Sequence, residues 1–269
     1  MSERRDWPIV IGGCHRSGTS LVRRVLDAHP RIHCGPELTF FRDFYGDFRE
    51  DALAHLRFSR TARAVVAEDE ALDILGRAFV ELHERAARTA GKPRWADKAP
   101  ENVLYTREWE LLLRGRFLFV HVVRNPLDTI ASMVGRFPLT LPDTTEARID
   151  VYRRYTEAGL AFGDAHPDRS VSVVYEQLCA TPSEVVGQLM EALHEGPDPT
   201  QLAFNEVPHQ EGLEDPGIAA TESVHGRSVG RWSTTLRDDE AARVWERTQD
   251  LWTRADGAGA YVPLVRGSS

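Results

Sequence analysis

The sequence predicts an α/β fold, a parallel sheet with helices on both faces, from three strand-then-helix patterns. Residues 8–12 (PIVIG) form a short apolar run that is followed at 19–29 by TSLVRRVLDAH, with apolar residues at helical spacing. The run FLFVHVV at 117–123 is nearly continuous, as in strands that parallel sheets bury on both faces. It ends before Pro126, which suits the first residue of a helix.

The remaining elements follow in chain order. RIHCG at 31–35 predicts a second short strand, and SVSVV at 170–174 another. Apolar residues at helical spacing predict helices over 71–90, 182–194 and 238–256. Residues 205–235 are rich in Glu, Pro, Gly and Ser with weak periodicity and predict a long functional or mobile loop. With no internal repeat or linker, residues 1–269 are expected to form one domain.

Composition and charge exclude several classes of protein. The chain of 269 residues carries a formal net charge of −8, which argues against a nucleic-acid binder that neutralises phosphates over a broad surface. Three cysteines far apart favour neither a disulfide framework nor a zinc site. No apolar run approaches the length of a membrane span. A cytoplasmic protein, of the Arg- and Ala-rich kind typical of bacteria, is therefore expected.

The first strand-to-helix turn has the spacing of a phosphate-binding loop. GCHRSGTS, from Gly13 to Ser20, matches G-x-x-x-x-G-K-[ST] except that Thr19 replaces the lysine. Backbone N–H groups, together with donors on Arg16, Ser17, Thr19 and Ser20, favour an anion at this P-loop-like turn. A sulfuryl group carries one charge where a terminal phosphoryl carries about two. The missing lysine therefore indicates a sulfate donor.

A second anion site is predicted at the end of the strong strand. Arg124 closes that strand, and Ser132 lies about two turns into the helix that begins at Pro126. A guanidinium and a hydroxyl so placed suit a second phosphate. Together the two sites describe a nucleotide with phosphates at two separated positions.

These motifs resemble the PAPS-dependent sulfotransferases, where PAPS is 3′-phosphoadenosine-5′-phosphosulfate. PIVIGGCHRSGTSLVRRVLDAHP resembles the 5′-phosphosulfate loop of that family, and FLFVHVVRNPLDTIASM its 3′-phosphate motif. The stretch from Arg16 to Glu37, the YEQL motif at Tyr175 and a weaker GRW match at Gly230 are most similar to the protein-tyrosine sulfotransferases and their bacterial relatives. Cys14, His15 and Pro36 depart from that pattern.

The resemblance implies a role for each matched residue. Arg16, Ser17, Gly18, Thr19 and Ser20 would hold the 5′-phosphosulfate. Five other residues would also contact the donor. Arg124 and Ser132 would bind its 3′-phosphate, Tyr175 would lie against the nucleotide, and Ser228 and Arg231 would close over it. The catalytic residues would be Glu37 as general base, Arg16, and Lys98, which stabilises charge on the transferred group. PAPS is thus the expected donor, without a metal.

Several alternatives stay open at this point. His15, His33 and His225 are rival bases to Glu37, since an attacking hydroxyl must lose a proton. Lys98 lies in the stretch ADKAPEN, which indicates a loop. Phe40, Phe41 and their aromatic neighbours Phe44 and Tyr45 either line an acceptor pocket or pack in the core. A P-loop small-molecule kinase and a silent nucleotide-binding protein are the other functional hypotheses. The expected partner is a hydroxyl-bearing acceptor, either a small molecule or a peptidyl tyrosine.

Overall fold

A five-stranded parallel sheet forms the centre of the molecule. The computed structural model describes residues 3–45, 61–134, 142–210 and 223–256. The strands are β1 (Ile9–Gly13), β2 (Ile32–Cys34), β3 (Arg94–Lys98), β4 (Leu118–Val123) and β5 (Ser170–Val174). Their order across the sheet is β2-β3-β1-β4-β5, and every pair is parallel.

Helices cover both faces of this sheet. They are α1 (Thr19–Asp27), α2 (Phe40–Tyr45), α3 (Glu68–Thr89), α4 (Thr106–Leu113), α5 (Pro126–Met133), α6 (Thr145–Ala165), α7 (Tyr175–Ala180), α8 (Pro182–Ala192) and α9 (Asp238–Asp256). Short 3₁₀ helices occupy Glu3–Asp6, Pro100–Leu104, Pro199–Gln201, Phe204–Glu206 and Arg231–Thr234. Of the helices described, none is long and apolar enough to cross a membrane.

Two hydrophobic layers hold the helices to the sheet. One face packs Leu21, Leu26 and Met190, from α1 and α8, against strand residues such as Ile11. The other face buries a cluster rich in aromatic residues, with Trp109 at its centre and no exposed surface on that side chain. Because both faces are covered, all residues of β1 and β4 are buried, as their continuous apolar runs predict.

The predicted α/β fold is confirmed, and so are the strands and helices predicted from periodicity, to within a few residues. Pro126 is the first residue of α5, and the side chain of Asn125 caps that helix by accepting from the Leu127 N–H. The end of the last predicted helix at Gly257 lies outside the described residues, as does the stretch 211–222 of the predicted long loop.

The expectation that Lys98 lies in a loop is wrong, because Lys98 is the last residue of β3. This strand reads as polar in sequence, since three of the five residues in RWADK carry charge. Hydrogen bonds compensate these charges: Arg94 donates to the backbone carbonyls of Trp7 and Leu193, which are distant in sequence, and Asp97 accepts from Asn102, five residues on. Burial without an apolar pattern is why the sequence did not predict this strand. Helices α2, α4, α6 and α7 were also not predicted.

Candidate functional site

The carboxyl ends of the strands meet at one edge of the sheet, as is usual for ligand sites in open α/β folds. Gly13 of β1 is level with Val122 of β4, and Ile11 is level with Lys98 of β3. A cavity of about 610 Å³ opens at this edge. Eleven of the twelve site residues predicted from sequence line it: Arg16, Gly18, Thr19, Ser20, Glu37, Lys98, Arg124, Ser132, Tyr175, Ser228 and Arg231.

Ser17 is the predicted residue that does not line the cavity with the others. Its side chain is fully buried beneath the β1–α1 loop, and its backbone N–H donates to the Cys14 carbonyl at 3.0 Å. A Cβ on Gly13 would lie 2.9 Å from the Ser17 hydroxyl oxygen, so the loop closes tightly over this side chain. Ser17 therefore contributes to the conformation of the loop and does not face the cavity.

The loop requires a glycine at position 18. Gly18 has φ of 100°, in the left-handed region that favours glycine, and it is the N-cap of α1. A Cβ there would lie 2.4 Å from the ring of Tyr175. The first turn of α1 has no acidic residue and no side-chain cap. Its N–H groups and positive dipole end therefore face the cavity and suit an anion.

Two arginines join the loop to the ends of the neighbouring elements. Arg16 donates from Nε to the Ser132 hydroxyl at 3.2 Å, and Arg124 donates from Nη1 to the Arg16 carbonyl at 3.0 Å. The Arg124 guanidinium carbon lies 4.6 Å from the centre of the Tyr175 ring. Arg124 Nε is buried, and within the described part of the chain it has no hydrogen-bond partner. Its hydrogen-bonding capacity is thus unsatisfied by the described residues.

Lys98 brings an ammonium group to the loop from β3. Its Nζ lies 2.6 Å from Glu37 Oε2 and 3.4 Å from the Ser20 hydroxyl. The Lys98 side chain is only 1% exposed, and that of Glu37 is 16% exposed. Although Thr19 replaces the loop lysine, a lysine from another strand thus reaches the same loop. At this loop, the Lys98 ammonium is one partner of an ion pair with the Glu37 carboxylate.

His15 lies in the same wall, but its surroundings differ from those of Glu37. Its Nε2 is 3.1 Å from the Tyr155 hydroxyl. Burial lowers the pKa of His15 to about 4, although the nearby carboxylate of Glu37 acts in the opposite direction. The ring is therefore neutral at pH 7, and its low basicity makes it a weaker proton acceptor than an ordinary histidine.

The cavity is electropositive within an acidic protein. Its described lining contains five basic side chains (Arg16, Lys98, Arg124, Arg227 and Arg231) but only two carboxylates, Glu37 and Asp128. The whole chain carries a net charge of −8. Positive charge is thus concentrated at this site, where low-dielectric walls strengthen its effect on anions.

The segment 223–235, called the strap below, forms one side of the cavity. Ser228 and Arg231 belong to it, as predicted from the GRSVGRW stretch. Arg124 Nη2 donates to the Ser228 carbonyl at 2.5 Å. Tyr175 also contacts the strap through its hydroxyl, and burial raises the pKa of Tyr175 to about 12.

The aromatic residues after Glu37 belong to the core. Phe41, Phe44 and Tyr45 are at most 6% exposed and pack with Phe79 and Trp109. None of the four aromatic residues of α2 lines the cavity. Their interpretation as core packing is therefore the correct one.

Sequence reasoning missed two charged residues of the site. Asp128 is 1% exposed and lines the cavity from the first turn of α5, where an acidic residue ordinarily only complements the helix dipole. Arg227 is exposed and lines the cavity from the strap. Its neighbours Ser228 and Arg231 were the only signal that this basic segment lies near the site.

Comparison with known proteins agrees with this geometry. The model of the sulfotransferase family matches residues 8–197. A protein-tyrosine sulfotransferase of Drosophila melanogaster is 27% identical over 205 residues, which cover 71% of this chain and 39% of the relative. A putative protein-tyrosine sulfotransferase of Caenorhabditis briggsae is 24% identical over 246 residues, 88% of this chain and 84% of the relative. The chain thus spans well under half of the Drosophila relative.

Solved structures share the fold. The sulfotransferase domain of the Synechococcus PCC 7002 olefin synthase superposes with a TM-score of 0.65 at 18% identity, covering 90% of this chain and 94% of that domain. Mouse sulfotransferase SULT7A1, in complex with PAP, gives a TM-score of 0.55 at 12% identity and covers 94% and 86% of the two chains. Since the family model covers most of the chain and the sheet has the fold of these structures, the protein belongs to the sulfotransferase family.

Proposed function

We propose that this protein transfers a sulfuryl group from PAPS to a hydroxyl acceptor. One observation carries the proposal: the anion-binding loop, the strand-end Arg124 and the Glu37–Lys98 pair all face a single cavity. Sulfuryl transfer is the reaction class of the family. The donor, the acceptor and the base are inferred from the residues of this chain.

The donor fits the distribution of charge in the cavity. The 5′-phosphosulfate would lie at the start of α1, where Arg16 and the N–H groups after Gly18 supply donors. The 3′-phosphate would lie at Arg124, whose buried Nε needs an acceptor, with Ser132 nearby. Tyr175 packs beneath this arginine and would contact the nucleotide.

Glu37 and Lys98 divide the chemistry between them. Glu37 takes the proton from the acceptor hydroxyl as the acceptor oxygen attacks sulfur in line with the leaving oxygen. The new S–O bond forms while the bond from sulfur to the bridging oxygen breaks, and the electron pair stays on the 5′-phosphate. Lys98 lies between Glu37 and Ser20, so its ammonium is placed to offset the developing negative charge, together with Arg16.

The acceptor is a hydroxyl compound, either a phenol such as a tyrosine side chain or a small-molecule alcohol. The relatives named as protein-tyrosine sulfotransferases support the phenol. A screen of phenols, alcohols and tyrosine peptides, scored by release of 3′,5′-ADP from PAPS, would distinguish these classes.

Calorimetric binding tests the donor before any acceptor is known. We expect the wild type to bind 3′,5′-ADP without Mg²⁺ and more tightly than ADP. Arg124→Ala should weaken the binding of 3′,5′-ADP by about 1.5–3 kcal/mol, the range for hydrogen bonds to charged groups, and leave ADP nearly unaffected.

Two results would contradict the proposal. Preference for Mg-ATP, with turnover of ATP, would favour a kinase that uses Lys98 in place of the loop lysine. Tight binding of 3′,5′-ADP with no transfer to any acceptor, including water, would favour a silent nucleotide-binding protein.

A further inference from the structure

The proposed transfer gives a role to Glu37 but none to the second carboxylate of the cavity, that of Asp128. Asp128 lines the cavity and is 1% exposed. A carboxylate in the wall of an anion site opposes binding of the ligand by electrostatic repulsion. A buried negative charge at this place therefore needs another explanation than contact with the donor.

The carboxylate of Asp128 binds the backbone of the strap, residues 223–235. Its Oδ2 accepts from the Gly230 N–H at 2.7 Å, and its Oδ1 accepts from the Trp232 N–H at 3.0 Å. Gly230 has φ of 78° and is the N-cap of the 3₁₀ helix Arg231–Thr234. The left-handed turn thus presents two N–H groups to one carboxylate. Charge-assisted hydrogen bonds of this kind are about twice as strong as neutral ones.

The strap is held from a second side by Arg124, which precedes Asp128 by four residues. Arg124 Nη2 donates to the Ser228 carbonyl at 2.5 Å, while Asp128 binds the chain two residues further on. A cation and an anion from the β4–α5 junction thus grip the backbone on either side of Val229. Both flanking side chains of this stretch, Ser228 and Arg231, line the cavity.

We propose that Asp128 is a positioning residue for the donor: its carboxylate fixes the strap so that Ser228 and Arg231 stand over the end of the cavity that Arg124 serves. The inference rests on the proposed function. For the affinity of the cavity for anions, the inference predicts the opposite of what charge repulsion alone predicts. Removing the negative charge of Asp128 should strengthen anion binding if repulsion dominates, but it should weaken that binding if the strap must be held in place.

The test uses Asp128→Asn, which keeps the shape of the side chain but removes its charge. We expect the dissociation constant for 3′,5′-ADP to rise at least tenfold, whereas that for ADP changes less than twofold. Tryptic cleavage after Arg227 and Arg231, both exposed in the strap, should accelerate at least tenfold. Asp164→Asn serves as the control, because it removes a negative charge from a side chain that is 73% exposed on α6.

A second pair of variants tests the contact from the strap and leaves α5 unchanged. Trp232→Pro removes the N–H that donates to Asp128, at an early helix position where proline is tolerated. Trp232→Ala removes the same side chain but keeps the N–H. We expect cleavage after Arg227 to accelerate at least fivefold more in the proline variant than in the alanine variant. This comparison decides the question if Asp128→Asn fails to fold.

The outcomes separate the two proposals. If the wild type does not bind 3′,5′-ADP, the proposed function is wrong, and the donor role of Asp128 is wrong with it. If the wild type binds but Asp128→Asn binds as tightly or more tightly, with unchanged cleavage of the strap, the inference about Asp128 is wrong and the proposed function stands.

Discussion

The ion pair of Lys98 and Glu37 places two opposite charges where the sheet meets the cavity. Lys98 is almost fully buried, so its ammonium depends on the carboxylate 2.6 Å away for compensation. Removing one partner of a buried pair leaves an uncompensated charge, which is costly. The pair therefore holds the proposed base beside Lys98 at this edge of the sheet.

Glu37→Gln is expected to reduce turnover by about 10²–10⁴, the usual contribution of a positioned base. His15→Gln should reduce turnover less than tenfold, because His15 is a weak base and its ring nitrogen contacts Tyr155, a contact that an amide can replace. The measurement is kcat at saturating PAPS, with the acceptor from the screen that reacts fastest.

Binding of 3′,5′-ADP serves as the control for both variants, since neither should lose more than about threefold in affinity if the donor site is intact. A larger loss of turnover in the His15 variant than in the Glu37 variant would reverse the assignment of the base.

At the scale of elements, the packing of α6 on β4 depends on a glycine. His121 of β4 is 1% exposed, and a Cβ on Gly159 of α6 would lie 2.4 Å from its Nε2. Burial lowers the pKa of His121 to about 4, so the ring is neutral. The helix can approach the strand only because residue 159 has no side chain.

Gly159→Ala is therefore expected to destabilise the protein by about 1–3 kcal/mol, as overpacked cores do. Gly163→Ala on the same helix is the matched control, because its Cβ would meet nothing nearer than the Ser170 hydroxyl at 3.5 Å. Helix propensity predicts that the control gains up to about 1 kcal/mol. Urea unfolding measures both, and equal stability of the two variants would contradict the packing argument.

Helix α5 was predicted from the sequence and strand β3 was not, and the difference has a physical reason. The start of α5 was predicted correctly, because Pro126 has a local effect on the backbone. Strand β3 was missed, because its buried residues are largely charged: Arg94 donates to the distant carbonyls of Trp7 and Leu193, and Asp97 accepts from Asn102, five residues on. Local periodicity detects burial only where buried residues are apolar.

At the scale of the whole molecule, charge distribution links the stability of the fold to pH. Glu176 is the second residue of α7, and its carboxylate is buried where β5 meets this helix. Its Oε1 accepts from the Asn125 N–H at 3.0 Å, and its Oε2 has no partner among the described residues. Burial raises the pKa of Glu176 to about 7. The folded state thus holds this proton over a range of pH in which the unfolded chain has released it.

The sign of the effect follows from proton linkage. Between about pH 4.5 and 7 the folded protein binds more protons at Glu176 than the unfolded chain, so this residue makes the protein less stable as pH rises. Glu176→Gln removes the ionisation and keeps an acceptor for Asn125. We expect the variant to gain up to about 3 kcal/mol relative to wild type on going from pH 5 to pH 8, given the size of the shift.

Urea unfolding at the two pH values measures this difference. Glu184→Gln, at an exposed position of α8, is the control and should show no such gain. A difference between Glu176→Gln and wild type that stays constant with pH would contradict a buried carboxyl at this junction.

The amino-acid sequence by itself determined the features that depend on neighbours along the chain. These are the glycine-containing loop from Gly13 to Ser20, the buried strand β4, and the positions of Arg124 and Glu37 just after strands. Each follows from periodicity, from the backbone freedom of glycine or from proline, which act over a few residues. They were sufficient to predict the fold, whereas the family and the roles of residues such as Lys98 and Tyr175 came from the resemblance of the motifs to the sulfotransferases.

Only the tertiary structure decided which of these residues meet. Lys98 and Glu37 are 61 residues apart, and Asp128 and Gly230 are 102 residues apart. Their contacts depend on the register of β3 beside β1 and on the docking of the strap against α5. Such contacts arise from packing between segments that are distant in sequence, and local sequence patterns do not predict them. That is why Asp128 appears in sequence as an ordinary helix-start residue and in the structure as the group that holds the strap.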